Sequence, residues 1–287
     1  MRRLLKSGAG WIARENDRQA RSSAATKTGQ RLLYHRYRES VLAHGPIALR
    51  ETGFRAFSQF EEDGKLLFIA AALDIPSCGS FIDIGSRDGI DSNCANLAIN
   101  FSWHGTFIDG DHTNVDRGRA FYGTHPDTWA YPPRFVTAIV TSDNINGILE
   151  TAGVPTDVDL MSIDIDGNDY WIWDAIDVVN PKVVVIETHV EFGLRPIVVP
   201  YDPAYVYPGR HRDYHGASVT AMVKLAAQKG YRLIGSNDYG FNTIYVRNEL
   251  AVDALPEVTA ESVLAHPRNA ERAKLFEPIA DWEYVEV

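Results

Sequence analysis

Two groups of residues in this 287-residue chain have the types and spacing to do chemistry. The first is Phe81-Ile82-Asp83-Ile84-Gly85-Ser86-Arg87-Asp88-Gly89, followed by Phe107-Ile108-Asp109-Gly110-Asp111. Each is an apolar run that ends in an acid and a glycine. In a parallel α/β sheet such run-ends lie at the carboxyl edge, where nucleoside ligands bind. Gly85 and Gly89 would let the backbone approach a ligand closely, and Asp83 would shape the floor. Asp109 would accept hydrogen bonds from both ribose hydroxyls, with Gly110 beside it in the cofactor site and Asp111 and His112 near the adenosine. The second group is Asp164-Ile165-Asp166-Gly167-Asn168-Asp169, with Glu187-Thr188-His189 after the next apolar run. Several carboxylates in one cleft repel each other, and a divalent cation removes the conflict. Oxygen-rich ligation favours Mg²⁺ or a similar hard ion. The reading is that Asp166 and Glu187 bind metal with His189 as a third ligand. Asp164, Asp169 and His189 are the candidates for catalysis, Asp169 or His189 as the base. The competing reading is that Asp166–Asp169 makes a turn and caps a helix.

The glycine spacing of the first group departs from the dinucleotide fingerprint G-x-G-x-x-G. It is the pattern of sites for S-adenosylmethionine, so the expectation is a methyltransferase. Gln59 and Asn93, neutral and polar, would hold the methionine amino and carboxyl groups or serve as cap and turn residues. The donor carries its own leaving group, so the difficulty lies in the acceptor. An alcohol is a poor nucleophile at neutral pH, and a metal or a base must take its proton.

The elements that position these residues alternate. Strands are expected at Ser80–Ile84, Gly105–Ile108, Arg134–Val140, Asp159–Asp164 and Lys182–Glu187, with helices between them near Ser92–Phe101, Asn114–Tyr122, Ile145–Ala152 and Asp169–Ile176. Nearly continuous apolar runs suit strands covered on both faces. Earlier helices are expected at Arg31–Ala43 and Lys65–Leu73, and a later one at Ser218–Lys229. Tyr231–Ser236 and Phe241–Arg247 are separated by too few residues for a crossover helix, so they form a hairpin. The fold class is therefore α/β, a Rossmann-like sheet of seven mostly parallel strands with a final antiparallel strand, as in class I methyltransferases. Trp171 and Trp173 are expected to pack their helix rather than touch a ligand.

Three regions follow. Residues 1–50 are a basic arm and helix, 51–250 the catalytic domain, and 251–287 a tail with a helix near Ala260–Ala265. Within the domain, 190–216 is a long insert expected to bind the acceptor or act as a lid, since loops of that length are usually functional. Its run Tyr207-Pro208-Gly209-Arg210-His211-Arg212-Asp213-Tyr214-His215 mixes aromatic, His and Arg side chains that suit a sugar ring. His211, Tyr214 and His215 are the expected acceptor contacts, the insert being otherwise a loop tied to its own backbone.

Net charge is −10. Residues 1–40 hold ten Lys/Arg against three acids, leaving eighteen against thirty-five in the rest. An acidic body argues against nucleic acid as partner, since phosphate contacts need clustered cations. The basic leader is expected to be a solvated, partly disordered arm with at most one short helix, the competing reading being contact with an anionic membrane surface, and a homodimer through it is left open. No apolar run approaches the ~20 residues that span a bilayer, and Met1–Ala13 lacks the pattern of a signal peptide. Cys78 and Cys94 are expected to be reduced, in or near the core, which suits the cytoplasm.

The motifs taken together resemble a known group. Ser58-Gln59-Phe60-Glu61-Glu62-Asp63-Gly64, the Asp83–Gly89 loop, Asp159–Trp171 and Val185-Ile186-Glu187 are similar to the FkbM-related methyltransferases, over about residues 55–247. The resemblance implies O-methylation by S-adenosylmethionine, often of sugars in polysaccharides or secondary metabolites. Within that range the chain looks closest to enzymes that methylate polysaccharide sugars, such as the mannose units of polymethylated polysaccharides in actinobacteria. A neighbouring group, the magnesium-dependent macrolide-sugar methyltransferases, carries D-G-x-H and a later E-D pair. By that similarity Asp166 and Glu187 would be ligands and Asp169 falls where the base histidine lies. Thr188 replaces their aspartate, which makes His189 the candidate third ligand. A nicotinamide-dependent oxidoreductase would need the absent G-x-G-x-x-G. An N-methyltransferase acting on bases or proteins would show Asn/Asp-Pro-Pro-aromatic after the fourth strand. A non-catalytic scaffold would have no use for the crowded acids.

Overall fold

Strands form where short β-branched and aromatic runs can be buried on both faces. The computed structural model describes residues 21–45, 47–75 and 78–287. The strands are β1 (Ser80–Ile84), β2 (His104–Asp109), β3 (Arg134–Thr137), β4 (Leu160–Ile163), β5 (Val183–Glu187), a short β6 (Ile197–Val198), β7 (Tyr231–Ser236), β8 (Asn242–Arg247) and a short β9 (Val285–Glu286). The helices are α1 (Ala24–His44), α2 (Glu62–Ala72), α3 (Ala95–Phe101), α4 (His112–Thr124), α5 (Ile145–Thr151), α6 (Asp169–Ala175), α7 (Val219–Gln228), α8 (Ala260–Leu264) and α9 (Asn269–Arg272). The basic arm through residue 20, and the dimer contact expected of it, lie outside the described residues.

Seven strands pair in the order β3-β2-β1-β4-β5-β8-β7. β1 to β5 are parallel, and β8 runs antiparallel to both β5 and β7. This is the class I methyltransferase topology expected from the alternating pattern and the hairpin. Consecutive residues alternate between two cores. Phe81, Phe107, Leu160, Val183 and Val185 pack on one face with Leu67, Phe68, Leu97 and Tyr122. Ile82, Ile108, Met161, Val184 and Ile186 pack on the other with Leu149, Ile172, Trp173 and Leu225. Trp173 is thus helix packing, as expected, and Trp171 donates its indole N–H to the Val199 carbonyl at 2.9 Å.

The differences from expectation have local causes. α1 starts at Ala24, not Arg31, because the Ser23 hydroxyl accepts from Thr26 N–H and caps it. β3 stops at Thr137, not Val140. Ala138 N–H makes its last rung with the Asp109 carbonyl, and the chain then turns where the Asn144 side chain accepts from Thr141 N–H. Cys94 is buried as expected, whereas Cys78 is exposed at a loop position with φ of 86°. The C-terminal segment is not independent of the insert: β9 pairs with β6 from within residues 190–216. Among the described residues no helix is long and apolar enough to cross a membrane.

Candidate active site

β1 and β4 end side by side, and Gly85 makes this possible. Its φ is +84°, and a Cβ there would lie 1.7 Å from the Asp164 carbonyl oxygen. Gly85 and Ser86 N–H both donate to the Ile108 carbonyl, at 2.9 and 3.1 Å, tying the loop to β2. Gly89, at φ +66°, turns above the Phe107 ring. At the end of β2, Asp109 Oδ2 accepts from Arg87 N–H at 2.8 Å. Its Oδ1 accepts from Asp111 N–H at 2.9 Å and from the Asn114 amide at 3.3 Å. Gly110 is exposed beside it. Asp111 caps α4, its carboxylate accepting from Thr113 N–H at 2.8 Å. Asp83 points inward and is 3% exposed. Burial pushes its carboxyl up to about 6, against hydrogen bonds from Ser92, Cys94 and Ser162. Asn93, expected at the ligand, is buried and donates to Ser162 Oγ at 3.1 Å, so its amide braces β4 instead.

The segment Ser58–Lys65 holds Gln59 at the cleft. Asp63 Oδ2 accepts from Ala56, Phe57 and Ser58 N–H at 2.6–2.8 Å, and from Ser58 Oγ at 2.9 Å. Glu62, fully buried, accepts from Asn237 and Asn242 on the hairpin at 2.9 and 2.8 Å. Lys65, 1% exposed, donates to Glu61, Asp238 and the Ser236 carbonyl. Glu61, Glu62 and Lys65 therefore clamp α2 to the β7–β8 hairpin, Asp63 ties the segment to its own backbone, and Gln59 is left exposed at the cleft beside Phe60.

That cleft, of about 220 Å³, is bounded by Gln59, Asp164, Asp166, Glu187, His189 and His215, with Arg272 from the tail. Asp164, Asp169 and Glu187 offer carboxylate oxygens within 4.8 Å of one another. Glu187 shares a second group with His189 and His215, again within 4.8 Å. Burial, then the neighbouring acids, hold Asp164 and Glu187 well above the usual carboxylate range. Burial lowers His189 to about 4, with Arg272 adding to it, and His215 to about 3, so both imidazoles are neutral near pH 7. His189 Nε2, His215 Nδ1 and Glu187 Oε2 are buried without a hydrogen-bond partner. Two buried imidazole nitrogens and one carboxylate oxygen, close together and each without a partner, fit a cation that would supply the missing contacts.

The expected site residues divide accordingly. Asp166 borders the cleft but belongs to neither donor group, and its positive φ of 56° carries it to the exposed side of the turn. Asp164, not Asp166, stands in a group of neighbouring donors. Asp169, expected as a base, is 1% exposed, and its two oxygens accept from Ile165 and Gly167 N–H at 2.9 Å each. It shapes the turn. Thr188 faces the hairpin, donating to the Gly240 carbonyl at 2.8 Å.

The insert reaches the site because its end is stitched to the strand termini. Gly216 N–H donates to the Gly167 carbonyl and His189 N–H to the Ala217 carbonyl, both at 2.9 Å. His215 is therefore inside the cleft. His211 and Tyr214 are not. Tyr214 donates to the Glu283 carbonyl, and both rings pack against Trp282, with the Arg210 guanidinium 3.9 Å from that ring. They dock the tail instead of facing an acceptor. In their place Tyr207 and Arg212 border the cleft. Glu191, Tyr205 and Arg272 join the site without a motif of their own. Glu191 accepts from Arg272, and Tyr205 lies against Gly167. The Pro/Tyr-rich composition of the insert pointed to Tyr205; nothing local pointed to Arg272.

No family model matches the chain, and no curated protein does. Solved structures with a similar arrangement include a SAM-dependent methyltransferase from Methanosarcina mazei, at 11% identity over 60% of this chain and 94% of that one, TM-score 0.39. A TehB-like SAM-dependent methyltransferase from Corynebacterium glutamicum matches at 13% identity over 77% and 99%, TM-score 0.36. A precorrin-6y C5,15-methyltransferase from Geobacter metallireducens matches at 16% identity over 67% and 84%, TM-score 0.37. Likeness at this level carries no argument by itself. The strand order and the antiparallel β8 define the class: the chain has the class I methyltransferase fold.

Proposed function

We propose that the protein is an S-adenosylmethionine-dependent O-methyltransferase that methylates a sugar hydroxyl, of a polysaccharide or oligosaccharide, with a divalent cation assisting. The observation that carries this is the contact of the two residue groups: Gly85, in the loop that would receive the donor, lies against Asp164 at the rim of the acid–imidazole cleft. Asp109 holds the ribose at the β2 end, and Gln59 meets the methionine part. The acceptor oxygen attacks the methyl carbon in line, the C–S bond breaks, and the donor leaves as the neutral thioether. Alignment of oxygen, methyl and sulfur supplies much of the acceleration. The hydroxyl proton passes to a carboxylate at the mouth of the cleft, Asp166, whose pKa is raised by the partial desolvation it meets at the turn. When bound, the cation neutralises the acids and lowers the pKa of a nearby hydroxyl. Tyr207 and His215 give the cleft the aromatic and hydrogen-bonding character that suits a sugar ring. The resemblance to FkbM-related enzymes supports O-methylation of a sugar, with a small secondary metabolite as the alternative acceptor.

The test is calorimetric titration with S-adenosylmethionine, its demethylated product and NAD, followed by transfer of labelled methyl to mannose-containing and other oligosaccharides. Donor and product should bind, and label should enter an alkali-stable ether. Tight binding of NAD alone would end the reading. Methyl transfer confined to amines or carboxylates would end its O-methyl part.

A further inference from the structure

The oxygen-rich Asp166–Glu187–His189 set expected from sequence favours Mg²⁺, but the donors brought together differ. We propose that the cation is held by Glu187, His189 and His215, with Asp164 completing the set, and is a transition-metal ion of the Fe²⁺, Co²⁺ or Zn²⁺ kind, not Mg²⁺. This rests on the metal-assisted reading above and names its metal class. The donor atoms of the histidine group lie within 4.8 Å of one another, and the Asp164 group meets it through the shared Glu187. Ligands at the usual ~2.1 Å from an ion stand up to about 4.2 Å apart, so small side-chain adjustments close the shell.

Independent observations support ligation over simple crowding. His189 and His215 are 8% and 6% exposed, and each keeps a ring nitrogen without a partner, as does Glu187 Oε2. Such groups are rare in folded interiors unless something unseen satisfies them. Gly216, at φ +71°, leaves free the space beside His189 Nε2 that a Cβ would enter at 2.6 Å. His189 Nε2 lies 3.9 Å from Glu187 and its Nδ1 3.8 Å from Glu191, which Arg272 holds in place. Glu191 at 3.8 Å is beyond hydrogen-bond reach of that nitrogen but near enough to accept from it after a small shift, and a carboxylate so bonded is the usual support of a metal-bound histidine. Stacking on Phe192 fixes the ring. Imidazole pairs suit first-row transition ions, whereas Mg²⁺ prefers oxygen and keeps its waters.

The full chain, stripped with a chelator, is titrated with Co²⁺ while visible absorption is recorded, then challenged with Zn²⁺ and Mg²⁺. We expect one equivalent of Co²⁺ with d–d bands of a low-coordinate N/O site, displaced by Zn²⁺ and not by a large excess of Mg²⁺. His215→Ala should weaken Co²⁺ binding by more than the ~10–100-fold that loss of an outer partner causes; Glu191→Gln should fall within that range, and Asp166→Asn should change little. Because the competition uses the unaltered chain, it decides even if a variant fails to fold. Equal competition by Mg²⁺, or Co²⁺ binding unaffected in folded His215→Ala, would overturn the proposal. The same samples are titrated with S-adenosylmethionine: donor binding without Co²⁺ binding defeats this inference alone, and Co²⁺ binding without donor binding defeats the methyltransferase reading while the metal site stands.

Discussion

Asp109→Ala should separate donor binding from folding. A carboxylate has about four lone-pair directions. Three are occupied, by Arg87 N–H, Asp111 N–H and the Asn114 amide, the last being the longest at 3.3 Å. One direction on Oδ2 is open, and a second becomes available on Oδ1 if Asn114 swings away. Two ribose hydroxyls can then bind, one to each oxygen. Each charge-assisted bond contributes about 1.5–3 kcal/mol. Water recovers part of this in the truncated site, so the net loss should be about 3 kcal/mol, roughly a hundredfold in Kd. The backbone N–H groups released lie in an exposed loop and can turn to water, so stability should fall by only about 1 kcal/mol. Calorimetry with S-adenosylmethionine reads the first quantity and urea unfolding the second. Asn114→Ala should leave affinity unchanged or improve it, because it frees Oδ1. Donor affinity in folded Asp109→Ala within threefold of the parent would refute the placement of the ribose.

Two further outcomes follow from backbone geometry and burial. Gly85→Ala combines a left-handed φ with a Cβ 1.7 Å from the Asp164 carbonyl, a backbone atom that cannot rotate aside. It should lose about 3–4 kcal/mol in urea unfolding and open the acid cluster; a loss under 1 kcal/mol would show that β1 and β4 do not meet in this way. Asp83, raised to about 6 when folded, binds a proton between about pH 4 and 6 that the unfolded chain has released. Its contribution is therefore full below the unfolded value and is lost as pH rises to about 6, worth about 3 kcal/mol in all. Asp83→Asn should remove this slope, so the stability difference between parent and variant should change by that amount from pH 4 to pH 7. A difference independent of pH would show that Asp83 is not held protonated.

Much of the scaffold was legible because its signals are local. β1 and β7 match their expected spans, and most other strands differ by a residue at an end, since runs such as Val183–Ile186 are buried on both faces and admit few other roles. The hairpin was legible from chain length: Asn237–Phe241 leaves no room for a crossover, so β8 had to run antiparallel. The roles of individual acids were less legible. Asp164, Asp166 and Asp169 are the same side chain within six positions. Only the turn geometry separates one that faces the cluster, one carried outward by a positive φ, and one consumed by two backbone N–H groups. Likewise His211, Tyr214 and His215 share one run. Contact with Trp282, some 70 residues on, withdraws the first two from the cleft.

The order of amino acids by itself determined the α/β alternation, the glycines at the β1 end and the presence of acids after β2, β4 and β5. These depend on periodicity and on steric limits that act within a few residues. Which of those acids meet, that His215 joins Glu187 and His189, and that Arg272 supports them from the far end of the chain, were decided by tertiary packing alone. Loop stitching and tail docking bring together side chains whose separation along the chain carries no information about their separation in space.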